Sequence, residues 1–259
     1  MNTIQYLSDL HLEFNANHEF LKHNPIVPVS DILIIAGDFG VLERDKSDKM
    51  YRDIDSFLDF LSVEFKQVYI IPGNHEYYNG FNIKLSRQEI RIPIRENILL
   101  LNNSVEIIYN HKFIFSTFWS FLSDNFPRYR FSDFHRCMYD GYHMTVNQYN
   151  LLHIDSTAFI NSEIEDNPRQ HKLVIVTHHL PSLSLIAPQY LGSDLNPAFA
   201  SFSDGLIHKS KAYAWIYGHS HSNMPTRYIG NTMLLTNPLG YIQQQEHNKF
   251  DNARLLMME

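Results

Sequence analysis

A single cysteine in 259 residues, Cys137, excludes an intramolecular disulfide framework. No apolar run approaches the ~20 residues that a membrane-spanning helix requires, so no membrane role is expected. The N-terminus lacks a basic segment followed by an apolar stretch, so no secretory signal is expected and the cytoplasm is the expected compartment. Positive charge is also scarce: 21 lysines and arginines face 28 aspartates and glutamates, a formal net charge of −7. The whole-chain basic footprint of a nucleic-acid binder is therefore absent, and nucleic acid is not the favoured partner. That exclusion is weak, because bound cations would reverse the field locally. Internal repeats, low-complexity segments and linkers are missing too. The reading is one domain over residues 1–259, with irregular inserts near 118–145 and 182–204, no dimerisation signal and no protein partner.

What is present is apolar substance and histidine. Apolar residues make up 44% and charged ones 19%, enough for a sizeable core. Of the 15 histidines, His18, His23, His111, His153 and His247 are scattered and read as structural. Others fall where apolar segments end. The strand at 3–7 runs into Asp9 and His11, and residues two apart on an extended chain point the same way. Residues 31–36 are a buried strand ending in Gly37-Asp38. Residues 67–71 end in Pro72-Gly73-Asn74-His75-Glu76, residues 172–177 in His178-His179, and residues 212–217 in Gly218-His219-Ser220-His221. Each ending alone reads as an ordinary turn. Five in series do not follow from chance, and α/β sheets keep ligands at such strand ends.

Helical spacing of Ile54, Phe57, Leu58, Leu61 and Phe65 predicts a crossover helix over 47–65. Further helices are predicted around 80–92, 146–164 and 200–210, with a short one within the polar loop at 13–30. Strands are predicted at 98–101, 105–109 and 112–117, with a hairpin turn at Asn110-His111, and the pattern from there looks antiparallel. Two tail strands, 226–229 and 232–236, flank Gly230-Asn231. The stretch at 118–145 mixes Phe118, Trp119, Phe126, Phe131, Phe134 and Tyr139 with Arg128, Arg130 and Arg136. It reads equally as a binding loop, stacking a base and holding a second phosphate, or as a cap over apolar surface. Carboxylates, imidazoles and an amide oxygen without thiolate suit Mn²⁺, Fe or Zn²⁺. Seven such donors exceed one zinc ion's usual four and suggest two ions sharing a carboxylate.

In order, D-x-H, G-D, G-N-H-E, T-H-H and G-H-S-H resemble the calcineurin-like metallophosphoesterase superfamily from residue 3 to about 222. T-H-H-L-P-S, N-P-A-F-A-S and N-P-L-G-Y are similar to a bacterial and phage subgroup, a likeness that names no substrate. The resemblance implies a four-layer α/β/β/α sandwich with two mixed β-sheets. It implies two divalent ions, Mn²⁺ first with Fe or Zn²⁺ as alternatives. Asp9, His11 and His221 would hold the first, Asn74, His178 and His219 the second, and Asp38 would bridge them. His178 lies nearer its strand than His179, though the repeat leaves the register open. His75 would be a non-ligand catalytic histidine that contacts phosphate or protonates the leaving group. Glu76 would orient a neighbour or sit solvated in its loop. The implied reaction is attack of a metal-bridging hydroxide on a small or nucleotide-like phosphodiester. Rival readings are a phosphomonoesterase or protein phosphatase, a nuclease of the same superfamily, and a catalytically silent metal-binding scaffold.

Overall fold

The computed structural model describes residues 2–41, 49–78 and 81–258. The first half runs β1 (Thr3–Leu7), α1 (Asn15–His23), β2 (Ile32–Ala36), α2 (Lys49–Glu64), β3 (Gln67–Ile71), β4 (Ile90–Arg95), β5 (Ile98–Asn102), β6 (Ser104–Ile108) and β7 (His111–Ser116). The second runs α3 (Asp133–Arg136), β8 (Met138–Tyr139), β9 (Tyr142–His143), α4 (Val146–Glu165), β10 (Lys172–Thr177), α5 (Asp204–Ser210), β11 (Ala214–Ile216), β12 (Arg227–Ile229), β13 (Thr232–Leu235) and β14 (Leu255–Met257).

Two six-stranded sheets form, in the orders β14-β1-β2-β3-β5-β4 and β12-β13-β11-β10-β7-β6. In the first, β1, β2, β3 and β5 are parallel, with β14 and β4 as antiparallel edges. In the second, β13, β11, β10 and β7 are parallel, with β12 and β6 as antiparallel edges. Strands covered on both faces need apolar residues at every position, which is why β2 reads as an unbroken run. Its alternate residues divide between two cores. Ile34 and Ala36 pack inward with Ile4 and Tyr6 against Phe113, Phe115 and Val176 of the other sheet. Leu33 and Ile35 pack outward against Leu58 and Leu61 of α2 and Leu21 of α1. On the far side, Ile114, Ile175 and Trp215 pack against Ile160 of α4 and Ile207 of α5. The result is the expected α/β/β/α sandwich with two mixed sheets.

Several local expectations need correcting. The predicted helix over 80–92 is a 3-10 turn at Ile83–Arg87 followed by β4; residue 80 lies outside the described residues, as do 47 and 48 of the predicted crossover helix. Ile90, Ile92 and Ile94 alternate, as an edge strand requires, and Pro93 is tolerated there because an edge strand can leave a donor unmade. The β6–β7 turn is Tyr109-Asn110, both at positive φ (49° and 64°), while His111 already belongs to β7. The later strands are largely parallel rather than antiparallel, because α4 and α5 return the chain to the same end of the sheet. β14 was not anticipated; it closes the open edge of β1. Among the described residues, no helix is long and apolar enough to cross a membrane.

Candidate metal centre

The segments leaving the strands do not stay extended. Asp9, His11 and Asp38 adopt left-handed φ values of 55°, 47° and 50°, and His219 and His221 follow at 65° and 46°. Each such non-glycine residue costs about 1–3 kcal/mol, and functional sites are where that strain collects. The segments beyond β1 and β2 remain tied: Asp9 N–H donates to Gly37 O and His11 N–H to Asp38 O, both at 2.9 Å. Asp9 and His11 do share one side, as expected, but through two left-handed residues rather than strand alternation.

Asp9, His11, Asp38 and His221 bring one ligand atom each within 4.8 Å of one another, and so do Asp38, His178 and His219. Asp38 belongs to both groups. Its Oδ2 lies 3.6 Å from His11 Nε2 and 3.4 Å from His178 Nε2, while Oδ1 accepts the backbone N–H of His75 at 2.9 Å. Asn74 donates its amide to Asp133 (2.8 Å) and the Tyr78 hydroxyl (3.0 Å), which turns its oxygen toward His178 Nε2 at 3.1 Å. His178 Nδ1 donates to Ala36 O at 3.0 Å, so its Nε2 is the atom offered to the site. His179 is turned away, its Nδ1 toward Thr117 O at 3.3 Å and its ring against Trp119.

A cation fits this donor set. His11 Nδ1 donates to Glu13 (3.0 Å) and His221 Nδ1 to Glu246 (2.8 Å), because a carboxylate can only accept. Their Nε2 atoms then face each other at 2.9 Å. His219 Nε2 is buried and has no hydrogen-bond partner among the described residues. Donors about 2.0–2.2 Å from an ion lie about 3 Å from one another, the spacing seen here. Without a cation, two of the four imidazoles favour a proton, while burial lowers the pKa of His11 and His219. Burial opposes charge on His221 and His178, yet Asp9 and Glu246 push the first up to about 10, and Asp38 with Asp9 pushes the second up to about 9. A bound cation would displace those protons.

A family model for the calcineurin-like phosphoesterases matches residues 3–223. The chain belongs to the calcineurin-like phosphoesterases. It is 29% identical to uncharacterized protein L509 of Acanthamoeba polyphaga mimivirus, over 97% of this chain and 95% of that one. Its fold is similar to the crystal structure of phosphopantetheinyl hydrolase from Mycobacterium tuberculosis, with a TM-score of 0.69 and 17% identity, covering 100% of this chain and 96% of that one. As a calcineurin-like phosphoesterase the chain is a hydrolase of phosphoester bonds, and the family implies divalent cations.

Besides Asp133 and Tyr78, which hold Asn74, three residues beside the histidines were not picked out from the sequence. Glu13 joins two rings, its Oε1 accepting from His11 at 3.0 Å and from His75 Nδ1 at 2.7 Å. Burial would raise its pKa, but the two imidazoles bring it down to about 2. Glu246 holds His221, and the Tyr241 ring stands within 4.6 Å of His11 and 4.5 Å of His221. Glu13 had a signal, since it extends the D-x-H alternation by one step. Glu246 had none, lying 25 positions beyond His221 and arriving through the fold. Glu76 is buried rather than solvated and accepts the N–H groups of Asp38, Gly40 and Gly73, which sets the loop geometry. Burial and the nearby Asp38 push its carboxyl up to about 7.

A cavity of about 320 Å³ opens from the site between the two inserts, lined at one end by Asp38, Asn74, His75, His219 and His221. The first insert is mostly a cap: Trp119, Phe126, Phe134 and Cys137 form an apolar cluster with Tyr77 and Tyr149. Among its aromatics only Phe131 reaches the cavity. None of its arginines, Arg128, Arg130 and Arg136, lines the cavity, so the structure lends no support to their holding a second phosphate there. Arg130 pairs with Asp194, and the Arg136 guanidinium lies 5.4 Å from the Tyr78 ring centroid.

Proposed function

We propose that this calcineurin-like phosphoesterase is a two-cation phosphodiesterase acting on a small diester. The observation that carries the reading is Asp38, whose single oxygen Oδ2 lies 3.6 Å from His11 Nε2 and 3.4 Å from His178 Nε2 and so stands between the two donor groups. Asp9, His11, Asp38 and His221 would hold one ion, and Asp38, Asn74, His178 and His219 the second. Such ions, when bound, supply charge for the phosphoryl oxygens and lower the pKa of water.

His75 is the proton donor in this reading. Its Nδ1 is held by Glu13, and its Nε2 lies 3.4 Å from the Tyr241 hydroxyl at the wall of the cavity. Burial disfavours the imidazolium, but Asp38 and Glu13 outweigh burial and raise the pKa above its ordinary value. The charged ring can hand its Nε2 proton to the departing alkoxide, an effect worth about 10²–10⁴-fold. The cavity beyond the ions supports a diester, because its largely apolar wall offers room for the second ester group.

The test is hydrolysis of bis-p-nitrophenyl phosphate against p-nitrophenyl phosphate with Mn²⁺, and again after chelation. Turnover that needs the metal and favours the diester is expected. A monoester preference would overturn the diester reading, and turnover unaffected by complete metal removal would overturn the two-cation reading.

A further inference from the structure

Beyond the ion-facing end, the cavity wall is chiefly apolar, with Phe131 from the first insert, Ile186, Leu195 and Phe199 from the second and Leu180 just before it, interspersed with the uncharged polar Ser132, Ser193 and Asn196. Phe199 also stacks on His219, with ring centroids 4.7 Å apart and planes 27° apart, so the apolar wall begins directly at the site. Among the described residues, no lysine or arginine lines the cavity. Apart from Asp38 and the His75 and His221 rings at the ion-facing end, the charged groups at its edge are carboxylic: Glu246, already paired with His221, and Asp133, buried beneath Asn74 and Tyr78. A second phosphate or a carboxylate on the substrate would lose water here, meet no cation and face those acids. An unpaired charge buried in this way is strongly disfavoured.

We infer that the substrate presents one phosphoryl group to the site and carries, on the arm that fills the cavity, an uncharged and chiefly apolar or aromatic group. This selects against nucleoside diphosphates, phosphorylated sugars and other substrates with a second anionic group on that arm. The inference rests on the phosphodiesterase reading above and narrows its substrate class.

The test uses the Mn²⁺-loaded protein and two diesters with the same p-nitrophenol leaving group. One is phenyl p-nitrophenyl phosphate, and the other carries a phosphonate on the phenyl ring. The expected result is a kcat/KM at least about tenfold higher for the uncharged arm, the least that an unpaired buried charge should impose. Leu195→Arg, which places a cation on the half-buried wall, should narrow or invert that ratio. Equal kcat/KM values, or a preference for the phosphonate arm in the unaltered protein, would overturn the inference. Binding separates it from the hydrolase reading. If neither diester is hydrolysed, calorimetry with diphenyl phosphate and its phosphonate-bearing counterpart decides. Tighter binding of diphenyl phosphate would keep the inference and discard hydrolysis, and no difference would discard both.

Discussion

Glu13 separates two roles that the sequence merges at His75. Asp38 and Glu13 both favour the imidazolium, but an ion held by Asp38 would cancel most of that carboxylate's influence. Glu13 would then be the charge that keeps His75 protonated and its Nε2 aimed at the leaving group. Glu13→Gln keeps the shape and removes the charge. Its expected effect is a loss of about 10–100-fold on alkyl diesters, whose alkoxides need a proton, within the range for general acid catalysis. On p-nitrophenyl esters, whose leaving group departs unprotonated, little change is expected. His75→Ala should show the same split, more strongly, with metal content unchanged. An equal loss on both leaving groups would mean that Glu13 acts through His11 and metal binding instead. At this scale the donors were legible because each stands at the end of an apolar run. Their carboxylate partners were not, because Glu246 and the Glu13–His75 contact exist only after folding.

Elements explain how such crowded side chains coexist. Strands β2, β3, β10 and β11 were readable because a doubly covered parallel strand is a nearly continuous apolar run, and β1 was readable through its Asp9 and His11 ending although its buried Gln5 is polar. The edge strands β4 and β14 were not: the alternation of one is short, interrupted by Pro93 and merged with the 3-10 turn before it, and the other is three residues long after a polar stretch. The loop after β3 is as tightly specified as the strand. A Cβ on Gly73 would stand 2.2 Å from Asp38 Oδ1, 2.6 Å from Asp38 N and 2.7 Å from His178 Cε1. The backbone must come this close so that Gly73 N–H can reach Glu76 at 2.6 Å. Gly73→Ala is therefore expected to push Asp38 out of place, with an overpacking cost of about 1–3 kcal/mol. Urea denaturation of the metal-free protein and metal analysis after reconstitution check this. Unchanged stability together with full metal content would show that the loop gives way freely.

At the scale of the whole molecule the centre ties two sheets together. Asp9, His11, Asp38 and Asn74 follow strands of the first sheet, and His178, His219 and His221 follow strands of the second. Ligands that assemble only when both sheets are packed bind the folded state and not the unfolded chain. Cation binding must then raise global stability, by about 2.7 kcal/mol for a site filled at a hundred times its Kd. For a chain of this length each kcal/mol moves the melting temperature by about 2–4 °C. Adding Mn²⁺ to the chelated protein should therefore raise Tm by at least about 5 °C in one cooperative transition. Asp38→Asn removes the carboxylate common to both groups of donors, so it should lower bound metal at both positions and abolish most of that rise. If the variant retains one ion and half the thermal shift, Asp38 serves a single ion and the two histidine groups act independently. If it retains both ions and the full shift, the cations are held elsewhere and the centre described here is not theirs.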